Sequence, residues 1–550
     1  MAPIPQALSI EKDSSLVQST ELPTQRQSEA SNDTIAVNTN NIIPEKESSQ
    51  SDTVESDTVV IPSAHSVYTS REKTLLVISA AFSGLFASWT AQIYLPALNN
   101  AAHDLHTSTK KINLTVTSYM IFQGVTPIFI GGYADAMGRR PVYIICFILY
   151  IAVDVALALT NSYGSLLALR SVQSITISST QALCQGVVAD ISTSSERGQY
   201  AAFLALPTIL GPSIGPVIGG AIAQFLGWRN IFWFLAITGG INLAVLIALF
   251  PETCRRIVGN GSILPKKSNQ TLLQLFLNRR KDPSNELEIG TAPAPLPVPD
   301  AEIPKANFAW ARFLSALTLL FEKELFVLST YGGLLFAGLY AVGTAAPSLF
   351  ATYYGYNGLT IGLLYLPLAA GSVAAVVLVG KMLNWNFQRH AKRLNITVVR
   401  GQHMDLSEFP IELARVEVLI PPFILSVIVI TAWGWTVENR VSVGVVVVLV
   451  FLLGLGLSGV ASVFSALITD IRPEKASAAS ASNNIIKFLL GAAMSAAIEP
   501  LISAVDPGKA FSIIASFYVV VSPCLVVVVK KGMKWRREVR EKDRRASETQ

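Results

Sequence analysis

Long apolar runs constrain this chain more than anything else in it. They fall near residues 74–97, 113–133, 141–160, 163–188, 200–224, 230–250, 325–350, 359–383, 416–437, 441–468, 479–505 and 510–530. Each approaches or exceeds the ~20 residues a helix needs to cross hydrocarbon. In lipid the backbone must satisfy its own hydrogen bonds, which a helix does within one segment. The expected fold is therefore all-α and membrane-embedded, with twelve transmembrane helices. Composition agrees, at 51% hydrophobic and only 14% charged, where a soluble domain carries about 25% charge. The third and fourth runs are parted by Asn161 and Ser162 alone.

A long polar stretch divides the runs six and six, which suggests a secondary transporter built from repeats. Five segments follow. Residues 1–72 are rich in Ser, Thr, Asn and Glu, hold too little apolar surface to repay ordering, and read as a disordered tail without a secretory signal. Residues 73–250 and 325–531 are two six-helix bundles. Residues 251–324 form a loop with a Pro-rich TAPAPLPVPD stretch. In that loop Trp310, Phe313, Leu314 and Leu317 recur at helical spacing, as in a helix lying on the membrane surface or an extension of the seventh span. Residues 532–550 are a basic tail. An even span count puts both termini on one side. Arg255, Arg256, Lys266, Lys267, Arg279, Arg280 and Lys281 of the loop lie there with the tail's KKGMKWRREVREKDRR. By the positive-inside rule that side is cytoplasmic.

GGYADAMGRR, residues 131–140, follows the second run. Its short turn holds Asp135 close to Arg139, Arg140 and helix ends, between Gly131 and Gly138. A carboxylate there favours a helix N-terminus and an opposing cation, as a latch does; an ordinary basic turn is the plainer reading. Arg170 stands inside the fourth run, with Gln173 one turn on. An intramembrane Arg costs roughly 2.5–3.5 kcal/mol and faces a cavity, finds partners or snorkels. Asp154 and Glu499 are the main acids within runs; Asp154 is either a proton carrier or a group hydrogen-bonded to a neighbouring helix, and Glu499, before Pro500 near the outer end of its run, is either a proton carrier or an interfacial residue. Asn483, Asn484 and Lys487 fall at i, i+1 and i+4 of the eleventh run. They bind polar or anionic cargo, or hold the two halves together. GPSIGPVIGG places Gly211, Gly215 and Gly219 on one stripe beside Gly220, with Pro212 and Pro216 weakening the helix. Such stripes let helices approach closely.

Other chemistry finds no support. GLGLSG at 454–459 fits a dinucleotide fingerprint formally but sits in an apolar run without a strand before it. No phosphate-cradling G-x-x-x-x-G-K-[ST] occurs, so ATP drives nothing here. Cys146, Cys184, Cys254 and Cys524 have neither metal-site nor disulfide-framework spacing. No His lies in any run and no nucleophile–base pair can be assembled, so no enzyme is expected.

The loop Gly131, Tyr133, Ala134, Asp135, Gly138, Arg139, Arg140 resembles the signature loop of the major facilitator superfamily, with Ala136 where the family usually carries Arg or Lys. Arg170 and Gln173 resemble its R-x-x-Q-G motif, linked in antiporters to proton coupling, with Ser174 in place of Gly. The 211–220 stretch resembles the fifth-span motif of drug:proton antiporters. ADISTSSERGQYAAF, LGWRNIFWF, FPETCRRIVGNGS, DLSEFPIELARVE and SNNIIKFLLGAAM are similar to fungal members of the twelve-span antiporter group. Three positions depart from it: Asn384 in place of Asp, Lys487 in place of Arg, and Asp154 in place of Asn.

The resemblance implies a proton-coupled exporter of a small organic molecule, a drug or secondary metabolite, working by alternating access at the plasma membrane. Its partners would be that molecule, protons and the bilayer. No cofactor, metal or nucleic acid is implied, and the chain would act as a monomer. An organic-acid exporter is the alternative, favoured by Arg170, Lys487 and an acid-free first span. A transport-inactive receptor is a more remote one.

Overall fold

The computed structural model describes residues 66–192, 197–261, 263, 265, 269–274, 317–394, 409–472 and 476–548. The tail expected over 1–72 lies outside this set up to residue 65, and the surface helix expected after residue 307 lies outside it up to residue 316.

Every element is helical among the described residues. The first begins at a capping box: Thr69 and Glu72 satisfy each other's backbone N–H groups, launching α1, Ser70–Ile93. A 3-10 turn at Leu95–Ala97, set by Pro96, joins it to α2, Leu98–Asp104. Then follow α3 Thr109–Met137, α4 Arg139–Ala158, α5 Tyr163–Ile177, α6 Thr180–Ile191, α7 Arg197–Phe225, α8 Arg229–Leu249 and the short α9 Arg255–Val258. The second half holds α10 Lys323–Tyr354, α11 Gly358–Leu363, α12 Tyr365–Arg393, α13 Ile411–Glu438, α14 Val443–Ile471, α15 Ala476–Val505, α16 Pro507–Val521 and α17 Pro523–Glu548.

Among the described residues, ten stretches are long and apolar enough to span a bilayer. The fourth and fifth spans complete twelve. The fourth is α5 and α6 together, broken at Ser178 and Ser179, where the sequence suggests one continuous helix. The fifth is α7, which runs through Pro212 and Pro216 without interruption. The last span also outruns its apolar window, since α17 carries the basic tail as helix to Glu548.

Within the first six spans α1 packs on α7, α4 on α8 and α3 on α5. Within the last six, α10 packs on α15, and α14 on both α12 and α13. The halves meet where α3 lies on α15 and α7 on α11 and α12. The outer faces remain apolar: Ile237, Ile241 and Val245, one turn apart on α8, are 62%, 61% and 39% exposed. These rows belong in lipid, and they explain why the composition exceeds what a core alone would need.

Candidate functional site

Three groups of side chains carry the polar chemistry. The first sits where α3 ends and α4 begins. Gly138 turns the chain there with φ 106° and ψ 156°, a conformation essentially confined to glycine. The turn puts Arg139 one helical step from Asp135, whose Oδ1 lies 2.6 Å from Arg139 Nη2. Arg139 Nε donates to Asp190 Oδ2 at 3.0 Å, at the end of α6. Gly186 makes room for this, since a Cβ there would stand 2.7 Å from Arg139 Cζ. Arg140 goes elsewhere. Its Nε and Nη2 donate to the carbonyls of Phe250 and Ile247, both at 2.9 Å, closing the C-terminus of α8.

Glu252 holds this turn from below; the FPETCRRIVGNGS stretch that contains it resembles the antiporter group but assigns it no role. Its Oε1 accepts from the backbone N–H groups of Arg139, Thr253 and Cys254 at 2.8, 3.0 and 2.9 Å. Its Oε2 accepts from Arg140 N at 3.2 Å. A carboxylate at the start of α4 also suits the helix dipole. Burial nevertheless pushes Glu252 above its ordinary 4.5, the four N–H bonds only partly opposing it. The signal available in sequence was a lone acid beside Pro251, directly after an apolar run.

Asn384, at the position where an Asp would mirror Asp135 in the second half, is exposed and accepts from Gln388 at 3.5 Å. The mirrored contact there is Arg415 with Asp470, Nη2 to Oδ2 at 2.8 Å, again joining the start of one helix to the end of the next. Arg472 pairs with Glu322 at 2.7 Å, and Arg536 of α17 with buried Glu412 at 3.1 Å.

The second group lies inside the first half. Arg170 on α5 and Asp154 on α4 are both fully buried, and Gln173 bridges them. Arg170 Nη1 donates to Gln173 Oε1 at 2.5 Å and to the Thr90 carbonyl at 3.4 Å. Gln173 Nε2 donates to Asp154 Oδ1. The guanidinium also lies 4.5 Å from the Tyr119 ring centre and 4.9 Å from that of Tyr94. Tyr150 bonds Thr90 at 2.7 Å beside them. Unpaired, Arg170 would cost several kcal/mol at this depth; the Gln173 amide, itself bonded to Asp154, and two aromatic faces worth about 0.5–2 kcal/mol each offset part of that. Snorkelling is thereby ruled out for Arg170, and Asp154 is not a lone acid.

The third group is in α15. Lys487 Nζ lies 4.8 Å from the Phe336 ring centre and 4.9 Å from that of Phe488. Asn483 and Asn484 make no side-chain hydrogen bond with another described residue, while the Asn484 carbonyl would stand 3.3 Å from a Cβ on Gly124 of α3. Glu499, farther along α15, accepts from Ser348 Oγ of α10 at 3.2 Å.

The glycine stripe is a packing surface. Gly211 and Gly215 face α1, where a Cβ would stand 2.5 Å from Ser88 Cβ and 3.0 Å from Trp89 Cδ1 respectively. Gly219 lies on the Ile93 carbonyl of the same helix. Gly220 turns to the other half and touches the backbone of Gly358, while the Pro216 carbonyl lies on Gly362. Asn99 Nδ2 donates to the Pro347 carbonyl at 3.3 Å and Leu359 N to Gln224 Oε1 at 2.9 Å, closing the same end of the molecule.

A family model described as Major Facilitator Superfamily matches residues 80–399. The MFS-type transporter phiD of a fungal strain is 39% identical over 480 residues, 87% of this chain and 71% of that one. The MFS-type transporter tstD of Talaromyces stipitatus is 36% identical over 491 residues, 88% and 87% of the two chains. Citrate exporter 1 of Aspergillus niger is 32% identical over 480 residues, 86% and 88%. The crystal structure of the human organic anion transporter MFSD10 superposes with a TM-score of 0.50 at 17% identity, covering 82% of this chain and 99% of that one, a likeness of fold. With twelve helical spans in two bundles and relatives of this length and identity, the chain belongs to the major facilitator superfamily and is a membrane transporter.

Proposed function

We propose that the protein exports a small organic molecule across the plasma membrane by alternating access, driven by protons moving inward. The single observation that carries this reading is the buried Asp154–Gln173–Arg170 chain. Protonation of Asp154 removes the negative end of that chain. Gln173 then loses its charged acceptor, and Arg170 is left with no opposite charge among the contacts named above. Rebalancing that charge is a local event able to bias a two-state packing of the surrounding helices. Named relatives include fungal MFS-type transporters and a citrate exporter, which is consistent with export.

In this reading residues 73–250 and 325–531 are the moving halves, and both termini are cytoplasmic. Asp135, Arg139, Asp190 and Glu252 stiffen the cytoplasmic turn of the first half. Pro216, Gly220, Gly358 and Gly362 form the seam that parts when the opposite face opens. The chain works as a monomer without cofactor or metal. Purified protein in liposomes under an imposed pH gradient tests the proposal. Substrate movement should follow the gradient, and Asp154→Asn should abolish that dependence while exchange of substrate for substrate persists. Movement indifferent to the gradient in the unmodified protein would remove proton coupling.

A further inference from the structure

We infer that Lys487 is the anion-binding end of the cargo site, and that the cargo is an organic carboxylate with an apolar or aromatic body. This rests on the transport reading above and adds to it the class of molecule carried.

Lys487 lies eleven residues beyond the start of α15 at Ala476, about 17 Å along the helix axis at 1.5 Å per residue. Its side chain is therefore well inside the bilayer. Two glycines bring α15 into the junction between the halves at this level. A Cβ on Gly124 of α3 would stand 2.9 Å from Phe488 Cβ, and one on Gly333 of α10 would stand 3.2 Å from Lys487 Cα. The helix is thus wedged between a first-half and a second-half neighbour where it carries the cation.

The ammonium faces the rings of Phe336 and Phe488, which meet edge-on at 5.5 Å. Among the described residues it has no carboxylate, hydroxyl or carbonyl partner. Arg170 gives the contrast: it too is intramembrane, but a hydrogen-bonded chain leads from it through Gln173 to the Asp154 carboxylate. The first half links its intramembrane cation to an acid, and no described residue does so for Lys487. Aromatic faces attract a cation without cancelling its charge.

The wall beside the ammonium is largely apolar and aromatic, with the Asn483 and Asn484 amides one turn away on α15. Phe336 lies 5.1 Å from Tyr340, and Met120 of the first half abuts Gly491. On this wall Gln92 Nε2 donates to Tyr340 Oη at 3.4 Å, which again joins the two halves. An uncancelled cation at the end of such a wall complements a carboxylate on an apolar skeleton. A lipophilic cation would meet like charge, and a neutral molecule would leave the ammonium unpaired.

The organism's own products serve as probes. Media from the native strain and a deletion strain are compared by mass spectrometry in both ion modes. The deletion strain is also re-expressed with wild type, Lys487→Arg, Lys487→Gln or Lys487→Met, and export is normalised to each variant's abundance in isolated membranes. The compounds lost on deletion should be carboxylates. Lys487→Arg should restore them to within about threefold, and Lys487→Gln and Lys487→Met should fall at least tenfold below wild type, as expected for losing a charge-assisted contact. Neutral or cationic dependent compounds would overturn the inference and leave the transport reading standing. Carboxylates exported at wild-type rate by Lys487→Met would also overturn it. Identical media from native and deletion strains would sink the transport reading and this inference with it. If the neutral variants fail to reach the membrane, the charge of the wild-type-dependent compounds decides alone.

Discussion

Gly220 and Gly219 are adjacent in sequence and face different partners, so one added methyl group at each should produce different failures. At Gly220 a Cβ collides with the Gly358 carbonyl oxygen, lies 3.0 Å from that carbonyl carbon and 3.4 Å from Gly362 Cα. Those atoms are backbone and cannot rotate away, so α7 and α11 must separate. Overpacking of this kind costs about 1–3 kcal/mol, and here it falls only on the state in which the two halves touch at this end. A difference of that size shifts a two-state ratio about 5- to 150-fold. At Gly219 the Cβ instead meets Ile93 on α1, inside the first half, and penalises every state that keeps the half folded. Spin labels at Leu226→Cys and Leu363→Cys, 67% and 45% exposed on the two sides of the seam, would report the separation once the four native cysteines are replaced. Gly220→Ala should move the distance distribution toward long values with little loss of melting temperature. Gly219→Ala should lower melting temperature or yield with little change in the populations that remain. Indistinguishable behaviour of the two variants, or an unmoved distribution in Gly220→Ala, would refute the assignment of Gly220 to the seam.

Two further outcomes follow from the turn between α3 and α4. Because burial holds Glu252 above 4.5, the native protein binds that proton more readily than the unfolded chain, and ionisation weakens the fold as pH rises above 4.5. Glu252→Gln should flatten that part of the stability profile, read as melting temperature between pH 4.5 and 7; parallel profiles for the two proteins would contradict it. Gly186→Val should push Arg139 off α6, break its bond to Asp190, and slow transport without altering cargo affinity, measurable as reduced maximal rate at unchanged half-saturation.

The twelve spans were legible because each is a local property, an apolar run of sufficient length. The Gly211–Gly219 stripe was legible for the same reason: a four-residue spacing defines a face before any partner is known. Arg170 and Gln173 declared a shared face by sequence spacing, but Asp154, which completes them, sits on another helix, and no local pattern pairs it with them. Glu252 and Asp190 were missed for that reason, being long-range partners of a turn whose own residues were conspicuous. Arg140 was read with Arg139 as one basic pair, yet the two diverge because successive side chains on a helix point about 100° apart. The break at Ser178 and Ser179 left no mark, since neither residue is a strong helix breaker.

That break bears on how the chain enters the membrane at all. At 1.5 Å per residue, α5 reaches about 22 Å and α6 about 18 Å, both short of the ~30 Å hydrocarbon layer. α5 also carries a full positive charge. Neither piece is a competent insertion signal alone. α4, joined to α5 by a four-residue turn at 159–162, is 20 residues long and brings Asp154, the acid that balances that charge through Gln173. The third and fourth spans are therefore suited to enter the bilayer as one helical hairpin whose intramembrane charges, Asp154 and Arg170, cancel. The chain of groups proposed to move protons in the finished transporter would first serve its biogenesis.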